Sequence, residues 1–312
     1  MGAALEPRIG KEGITMDRIG FIGLGIMGTP MSQNLHKAGF PVLGLDRSDY
    51  RLRQAEEAGI RTAENAEQVA RECDVIITML PNSPHVKQLL CGPEGIARFC
   101  RPGTLIVDMT SGAPEDSKAI SAELAELGVH FMDAPVSGGE PMAAAGTLAI
   151  MAGGDKADFQ RAKPLFEAMG SSATWVGGVG SGNTCKLTNQ IIVAVNIAGL
   201  AEGLMLAELA GADTRLVFEA IRGGLAGSSV MNAKAPMMLT DQYKPGFRMD
   251  LHIKDLRNAI DTGTACGAPL PLTEQMLEIM EKLSAGGDGS SDHSAVAKHY
   301  EALGGVTFSG EL

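Results

Sequence analysis

Short apolar runs alternate with amphipathic stretches from residue 18 to about residue 180. Short apolar runs between turn signals are typical of buried strands, and apolar positions spaced three and four apart indicate helices. The pattern predicts strands at 18–25, 40–48, 73–83, 102–111 and 172–180, with 129–139 and 146–154 continuing it. It predicts helices at 26–39, 49–59, 118–128 and 157–170. This alternation predicts a mostly parallel, doubly wound α/β sheet.

The second half of the chain has a different pattern. Strand signals nearly vanish after about residue 180, and helical periodicity continues to about residue 302. We therefore predict a sheet domain at 17–179 and an all-helical domain at 180–312. Residues 1–16 contain no apolar segment like that of a secretory signal, and we set them apart as an extension or disordered arm, with Met16 a candidate natural start.

The longest apolar stretch, 191–210, is interrupted by Asn196, Glu202 and Glu208. Polar and charged side chains are costly inside a bilayer, so we interpret this stretch as a buried core helix and predict no membrane span.

Composition and charge exclude several classes of protein. The chain is 45% hydrophobic and 20% charged, as in ordinary folded proteins. Its net charge of -11 disfavours nucleic acid as a partner, because phosphate backbones are repelled. Five cysteines without a CxxC pair indicate free thiols in a reducing compartment, which we take to be the cytoplasm. The six histidines lack metal-ligand spacing, and no metal is predicted.

A glycine-rich motif follows the first predicted strand. Gly23, Gly25 and Gly28 form G-x-G-x-x-G where a strand passes into a helix, which is typical of a dinucleotide-binding turn. The intervening residues complete the predicted cofactor loop: Leu24, Ile26 and Met27. Asp46, at the end of the second strand, is placed to accept hydrogen bonds from the adenosine 2′-hydroxyl, which favours NAD(H). Its neighbour Arg47 could instead bind a 2′-phosphate, so NADP(H) is the alternative cofactor.

Three further loops follow predicted strands, where ligands bind in such sheets. We expect residues of the first loop to flank the adenosine and ribose: Leu80, Pro81 and Asn82. Ser111 is placed to reach the nicotinamide side. Ser137, Gly138 and Gly139 form a serine–glycine turn that can hold a carboxylate through its hydroxyl and N–H groups. Without other evidence, the segments at 80–82 and 111 could equally be loops that bind no ligand, and 137–139 could be an ordinary tight turn.

A single lysine lies near the start of the long predicted helix. In a helix over 182–210, Lys186, Asn189 and Gln190 share one face. A lysine is unfavourable at a helix N-terminus because its charge opposes the macrodipole, and the alternative to a functional role is a solvated side chain. Reduction of a carbonyl needs a proton donor near the oxygen; Lys186 fits that role, with Asn189 orienting the group.

A second charged cluster occupies "FRMDLHIKDL", residues 247–256. We expect Lys254 to reach the cofactor, with an exposed ion pair to Asp255 as the alternative. His252 is interpreted as a packing or surface histidine.

Four ordered motifs resemble the β-hydroxyacid dehydrogenase family, which includes 3-hydroxyisobutyrate dehydrogenase. The resemblance runs from about residue 18 to about residue 302 and is carried by "GFIGLGIMGTPMSQNLHKAG", "DAPVSGGEPMAAAGTLAIMAGG", "GSGNTCKLTNQ" and "FRMDLHIKDL". It implies a Rossmann-type domain and an all-helical domain joined by the long helix. It also implies hydride transfer between NAD(H) or NADP(H) and a small semialdehyde or hydroxyacid, in a homodimer or homotetramer.

The resemblance also implies roles for individual residues. Lys186 becomes the general acid/base, and the turn at 137–139 binds the substrate carboxylate. Ser111 and Lys254 become cofactor contacts. Many relatives carry asparagine at the position of Gln190 as well as at Asn189, so either amide is a candidate for the substrate contact.

Two readings compete with a hydroxyacid dehydrogenase. A non-catalytic dinucleotide-binding module would lack the lysine, and an imine reductase usually has another residue in its place; Lys186 disfavours both. Within the family, 3-hydroxyisobutyrate, 4-hydroxybutyrate and sugar acids are alternative substrates.

Overall fold

The computed structural model of the protein describes residues 17–308, so the predicted arm at 1–16 and the C-terminal residues 309–312 lie outside the described residues. The chain forms two compact units, of which the first ends at Lys186 and the second begins at Leu187. The domain boundary at 179/180 stays a prediction.

Within residues 17–308, nine strands form one sheet, which lies in the first unit. The strands are β1 (Ile19–Ile22), β2 (Val42–Leu45), β3 (Arg61–Thr62), β4 (Val75–Thr78), β5 (Leu105–Asp108), β6 (His130–Asp133), β7 (Val136–Ser137), β8 (Leu148–Gly153) and β9 (Gly170–Gly177). Their order is β3-β2-β1-β4-β5-β6-β8-β7, with β9 paired to β8. The pairs are parallel except that β8 runs antiparallel to β6 and β7. The predicted doubly wound, mostly parallel sheet is confirmed.

Helices connect these strands. They are α1 (Gly28–Lys37), α2 (Asp49–Glu57), α3 (Ala66–Glu72), α4 (Ser83–Cys91), α5 (Pro114–Ala125), α6 (Gly139–Ala145) and α7 (Lys156–Met169), with a 3₁₀ helix at Ile96–Phe99. The sequence pattern missed α3, α4 and α6, which are 7, 9 and 7 residues long. Helices this short complete about two turns, which is too few for an apolar repeat to stand out.

The central strands β1, β4 and β5 are buried on both faces, which explains their continuous apolar runs. In β4, Val75 and Ile77 pack into one core cluster, and Ile76 packs into another. The alternation follows from the two-residue repeat of a strand. Helices therefore cover both faces, and the loops after the parallel strands are left at one edge of the sheet, where ligands bind in such folds.

Helices make up the second unit. They are α8 (Ser181–Leu209), which begins in the first unit, α9 (Thr214–Ile221), α10 (Ser229–Leu239), α11 (Met249–Cys266), α12 (Pro271–Ala285) and α13 (Ala297–Gly304). Two 3₁₀ helices lie at Asp288–Ser290 and His293–Val296. This confirms the predicted all-helical region and the long helix that leads into it.

Helix α8 is the one helix within residues 17–308 that is long and apolar enough to cross a bilayer, and 44% of its most apolar window is buried. Its apolar side chains contribute to the core of the second unit. The buried members are Ala194, Ile197, Ala198, Leu200, Ala201 and Leu204. This packing is what the sequence predicts for a core helix.

Candidate functional site

The glycine motif forms the turn between β1 and α1. Gly23 has a φ of +100°, and a Cβ there would lie 2.3 Å from the carbonyl oxygen of Met79. A Cβ on Gly28 would lie 1.8 Å from the carbonyl oxygen of Gly23, so the fold itself requires these two glycines. Chain neighbours apart, no atom of residues 17–308 lies within 4 Å of a Cβ built on Gly25. The second glycine therefore faces open space, where a pyrophosphate can approach the backbone at the N-terminus of α1.

The other residues of the loop have unequal exposure. Leu24 is buried, and Met27 is partly buried against the core, so their side chains support the turn rather than face a ligand. Ile26 is 55% exposed. The structure leaves the backbone of this loop as its binding surface, and the cofactor roles of these residues stay predictions.

Asp46 holds the glycine loop in place. Its Oδ2 accepts a hydrogen bond from the N–H of Leu24 at 2.7 Å, and its Oδ1 accepts one from the N–H of Ser48 at 2.9 Å. The sequence predicts a ribose contact for this carboxylate, and the hydrogen bond to the glycine loop is a second contact that the sequence does not indicate. Arg47, beside it, is exposed.

The loops after β4 and β5 are joined by polar contacts. The hydroxyl of Thr78 donates to Asp108 at 2.8 Å, and the N–H of Leu80 donates to the hydroxyl of Thr110 at 3.0 Å. Next to Leu80, Pro81 is exposed and the side chain of Asn82 pairs with the ring of His85.

Ser111 lies in the loop after β5 and is partly buried. The next residue, Gly112, donates its N–H to Oδ1 of Asn183 at 2.9 Å, and Ala113 donates to the hydroxyl of Ser83 at 2.9 Å. Both loops therefore have a fixed backbone at the carboxyl ends of adjacent parallel strands.

The predicted carboxylate turn connects β7 to α6. Ser137 ends β7 and pairs with Ala149 of β8. Gly138 has a φ of +138° and Gly139 a φ of +65°, so both adopt conformations that favour glycine. A Cβ on Gly138 would also lie 2.6 Å from the Cβ of Met142. The hydroxyl and the glycine N–H groups are brought together by this turn, and their carboxylate role stays a prediction.

Lys186 lies in the second turn of α8 and is only 5% exposed. The alternative of a solvated lysine is therefore wrong. Burying an ammonium is unfavourable unless charge or hydrogen bonding compensates, and such groups concentrate at functional sites.

The first turn of α8 is anchored by Asp133, a residue to which no sequence motif assigns a role. Its carboxyl accepts hydrogen bonds from the N–H groups of Gly180 and Asn183, both at 2.7 Å. Burial raises the pKa of Asp133 to about 7, although these backbone hydrogen bonds act to lower it. The sequence does show an acidic residue at the end of a strand, but it does not show which residues bind it, because these partners are 47 and 50 residues away.

The second unit holds the remaining predicted residues. The amide of Asn189 donates to Oε1 of Gln190 at 2.9 Å, and Nε2 of Gln190 donates to Asp255 at 2.8 Å. Lys254 pairs with the other oxygen of Asp255 at 3.1 Å. Side-chain exposures of 23% for Lys254 and 1% for Asp255 show that the alternative of an exposed ion pair is wrong.

His252 is fully buried, as expected of a packing histidine. Its Nε2 contacts the carbonyl oxygen of Gln190 at 3.1 Å, which requires the imidazole to donate through that nitrogen. Its Nδ1 lies 2.8 Å from Nδ1 of His293. Helix α11 thus holds Gln190 by its backbone and by its side chain.

Family comparisons cover both units. Residues 18–177 match the family profile described as the NAD binding domain of 6-phosphogluconate dehydrogenase. Residues 180–300 match the one described as NAD-binding of NADP-dependent 3-hydroxyisobutyrate dehydrogenase.

Relatives match over nearly their full length. The 2-hydroxy-3-oxopropionate reductase of Escherichia coli (strain K12) is 42% identical over 92% of this chain and 98% of its own. The 2-(hydroxymethyl)glutarate dehydrogenase of Eubacterium barkeri is 38% identical over 94% and 98%. A solved structure of Mycobacterium tuberculosis 3-hydroxyisobutyrate dehydrogenase with L-serine is 34% identical, with a TM-score of 0.84 over 91% of this chain and 99% of that one.

The fold and these matches define an NAD(P)-dependent oxidoreductase that acts on hydroxyacids. The chain belongs to the 3-hydroxyisobutyrate dehydrogenase family of β-hydroxyacid dehydrogenases. The resemblance found in the sequence is confirmed, and so is NAD(H) or NADP(H) as the cofactor.

Proposed function

We propose that the protein reduces tartronate semialdehyde, 2-hydroxy-3-oxopropionate, to D-glycerate with NADH or NADPH. The observation that supports this most strongly is the buried Lys186 at the start of α8, in a chain 42% identical to an enzyme named for that substrate. Within the family, four segments also look most like tartronate semialdehyde reductase. They are "ITMLPNSPHVK", "SGGEP", "AIRGGLAGS" and "DHSA".

The chemistry divides between the cofactor and the chain. When bound, the reduced dinucleotide supplies the hydride that the aldehyde carbon accepts. The ammonium of Lys186 gives its proton to the carbonyl oxygen, so that the aldehyde becomes a hydroxyl and the lysine is left neutral. The hydroxyl of Ser137 and the N–H groups of Gly138 and Gly139 hold the substrate carboxylate and orient it.

The first unit fits the cofactor. The open space at Gly25 and the start of α1 suit a pyrophosphate, and Asp46 lies at the end of β2, where a ribose is bound in such folds. Asp46 supports NADH, and Arg47 is the feature that would admit NADPH. The loop 80–82 and Ser111 are proposed to line the rest of the cofactor.

The other predicted contacts belong to the second unit and are part of the proposal. Asn189 is proposed to orient the substrate together with Lys186, and Gln190 is the alternative substrate amide. Lys254 is proposed as a cofactor contact. The ordered contacts among these side chains and Asp255 support a functional rather than a solvated role.

A second candidate substrate is 3-hydroxyisobutyrate. It is favoured by the family profile matched at 180–300 and by the 34% identical enzyme from Mycobacterium tuberculosis. In both substrates, the reacting aldehyde or alcohol carbon is bonded to the carbon that carries the carboxylate. The turn at 137–139 could therefore bind the carboxylate of either one.

Assays of the purified chain against a panel of acids distinguish these candidates. Tartronate semialdehyde, methylmalonate semialdehyde and succinate semialdehyde are compared with NADH and with NADPH, together with oxidation of the matching hydroxyacids. We expect the highest kcat/KM for tartronate semialdehyde. A higher value for methylmalonate semialdehyde would favour the second candidate, and no turnover of any of them would refute the proposed function.

We also propose a homodimer or homotetramer in the cytoplasm, with no nucleic-acid or membrane partner. Large apolar side chains stay exposed in the second unit, including Leu206 at 69%, Leu209 at 59% and Leu216 at 67%, and exposed apolar surface of this kind favours association. Light scattering of the purified chain should give a dimer or tetramer mass, and a monomer would contradict the proposal.

A further inference from the structure

Asn183 connects three parts of the first unit. It lies in the first turn of α8 and is 1% exposed. Its backbone N–H donates to Asp133 at the end of β6. Its side-chain oxygen accepts the N–H of Gly112, and its side-chain NH₂ donates to the hydroxyl of Ser117 on α5 at 2.9 Å. One buried amide thus uses both ends to hold the β5–α5 connection against α8.

The connection it holds carries Ser111, the proposed nicotinamide contact. Gly112 follows Ser111 directly, and a Cβ there would lie 2.2 Å from the hydroxyl of Ser83. The loop is therefore packed tightly between α4 on one side and the amide of Asn183 on the other. Without the amide, the N–H of Gly112 loses its partner in a buried position, and the backbone beside Ser111 is released.

Helix α8 also carries Lys186, three residues after Asn183. Residues three apart in a helix are neighbours on one face, separated by about one turn. The start of α8 has little freedom to shift, because a Cβ on Gly182 would lie 2.3 Å from the carbonyl oxygen of Asp133. A rigid connection therefore runs from the loop of Ser111 through Asn183 to Lys186.

We infer that Asn183 is a positioning residue for the reaction. It fixes the position of the Ser111 loop relative to the Lys186 ammonium and does not itself contact the substrate. The inference rests on the proposed function, because it takes Lys186 as the proton donor. Displacing a reacting group by about 1 Å can cost about 100-fold in rate, so a residue that only fixes a loop to a helix can have a large kinetic effect.

The test replaces the amide in the full-length chain. The Asn183→Ala variant should lower kcat by about 10- to 100-fold. The affinity for NAD(P)H should fall by a smaller factor, because the Ser111 loop is released while the glycine loop is untouched. The primary isotope effect on kcat, measured with cofactor deuterated at the transferred position, should rise as hydride transfer becomes rate-limiting. A variant that merely unfolds in part would lose active protein and leave the isotope effect unchanged.

A matched control is available in the same unit. Asn65 caps α3, and its side chain accepts the N–H of Gln68 at 2.9 Å, in an exposed position. The Asn65→Ala variant removes the same kind of hydrogen bond, so it should lower stability with kcat and the isotope effect unchanged.

Ser117→Ala gives a milder version of the perturbation. It removes one partner of the Asn183 amide and leaves the bond to Gly112, so it should lower kcat in the same direction by a smaller factor. It decides the question if Asn183→Ala does not fold.

The possible results separate the two proposals. If the wild-type chain turns over no semialdehyde, the proposed function fails and this inference fails with it. If the wild-type chain is active and depends on Lys186, but the Asn183 and Ser117 variants keep a normal kcat and isotope effect, the inference alone is overturned.

Discussion

Replacing Asp133 by asparagine isolates one ionisable group at the anchor of α8. Two effects compete at this fully buried carboxyl. Burial favours the neutral form, whereas the N–H donors of Gly180 and Asn183 favour the charged form. Burial prevails, with a further contribution from the nearby charge of Asp108, and the pKa of Asp133 is raised from 3.8 to about 7.

The shift determines how stability depends on pH. Between pH values of about 4 and about 7, the folded chain keeps a proton on Asp133 that the unfolded chain has lost. The free energy of unfolding therefore falls as pH rises through this range. Each pKa unit is worth about 1.4 kcal/mol, so the raised pKa contributes about 4 kcal/mol to the free energy of unfolding. This stabilisation is fully present below pH of about 4 and is lost above pH of about 7.

The assay compares wild type with the Asp133→Asn variant by urea unfolding at a series of pH values. Trp175 is the single tryptophan, and it lies in β9 of the first unit, so its fluorescence follows the unit that contains Asp133. Other titrating groups cancel in the difference between the two proteins. The stability of wild type relative to the variant should fall by up to about 4 kcal/mol from acidic to neutral pH. A flat difference would refute the reasoning, and a rising one would show that the hydrogen bonds outweigh burial.

Two further variants test the cofactor loop and the core of the second unit. Asp46→Ala frees the N–H of Leu24, so titration calorimetry should show about 10-fold weaker binding of NADPH and a larger loss for NADH, which also loses its proposed ribose contact. Unchanged NADPH affinity would contradict the loop contact. Lys234→Met removes the ammonium that lies 2.9 Å from both oxygens of the fully buried Asp292 carboxylate. Burial alone would raise the pKa of Asp292, but the charges of His293 and Lys234 lower it to about 2. Far-UV circular dichroism during unfolding should report a loss of about 3–5 kcal/mol, and a loss below about 1 kcal/mol would count against this pairing.

Local features of the sequence predicted most of the fold. The central strands β1, β4 and β5 are apolar runs because both of their faces are buried, and this pattern is visible without knowing which strands pair. The glycine motif is equally local, since Gly23 and Gly28 are constrained by the turn they form. The two-residue strand β3 and the nine-residue helix α4 were missed because neither shows a clear repeat.

The candidate site was predictable only in part. Lys186 stood out by its position, but its burial depends on packing that the sequence does not display. Asn183 and Gly112 are 71 residues apart, and no local pattern links a helix-start amide to a loop N–H. The same holds for Gln190 and Asp255, which are 65 residues apart. Long-range polar contacts of this kind depend on the folded chain.

Chemical rescue tests most directly whether the Lys186 ammonium donates the proton. The Lys186→Ala variant should lower kcat by about 100-fold or more, the scale of lost general acid catalysis, with NAD(P)H affinity largely intact. Added methylammonium or ethylammonium should restore part of the rate, because a small amine can supply the missing proton donor. A variant with a near-normal kcat, or one whose rate fails to respond to any amine, would contradict the role assigned to Lys186.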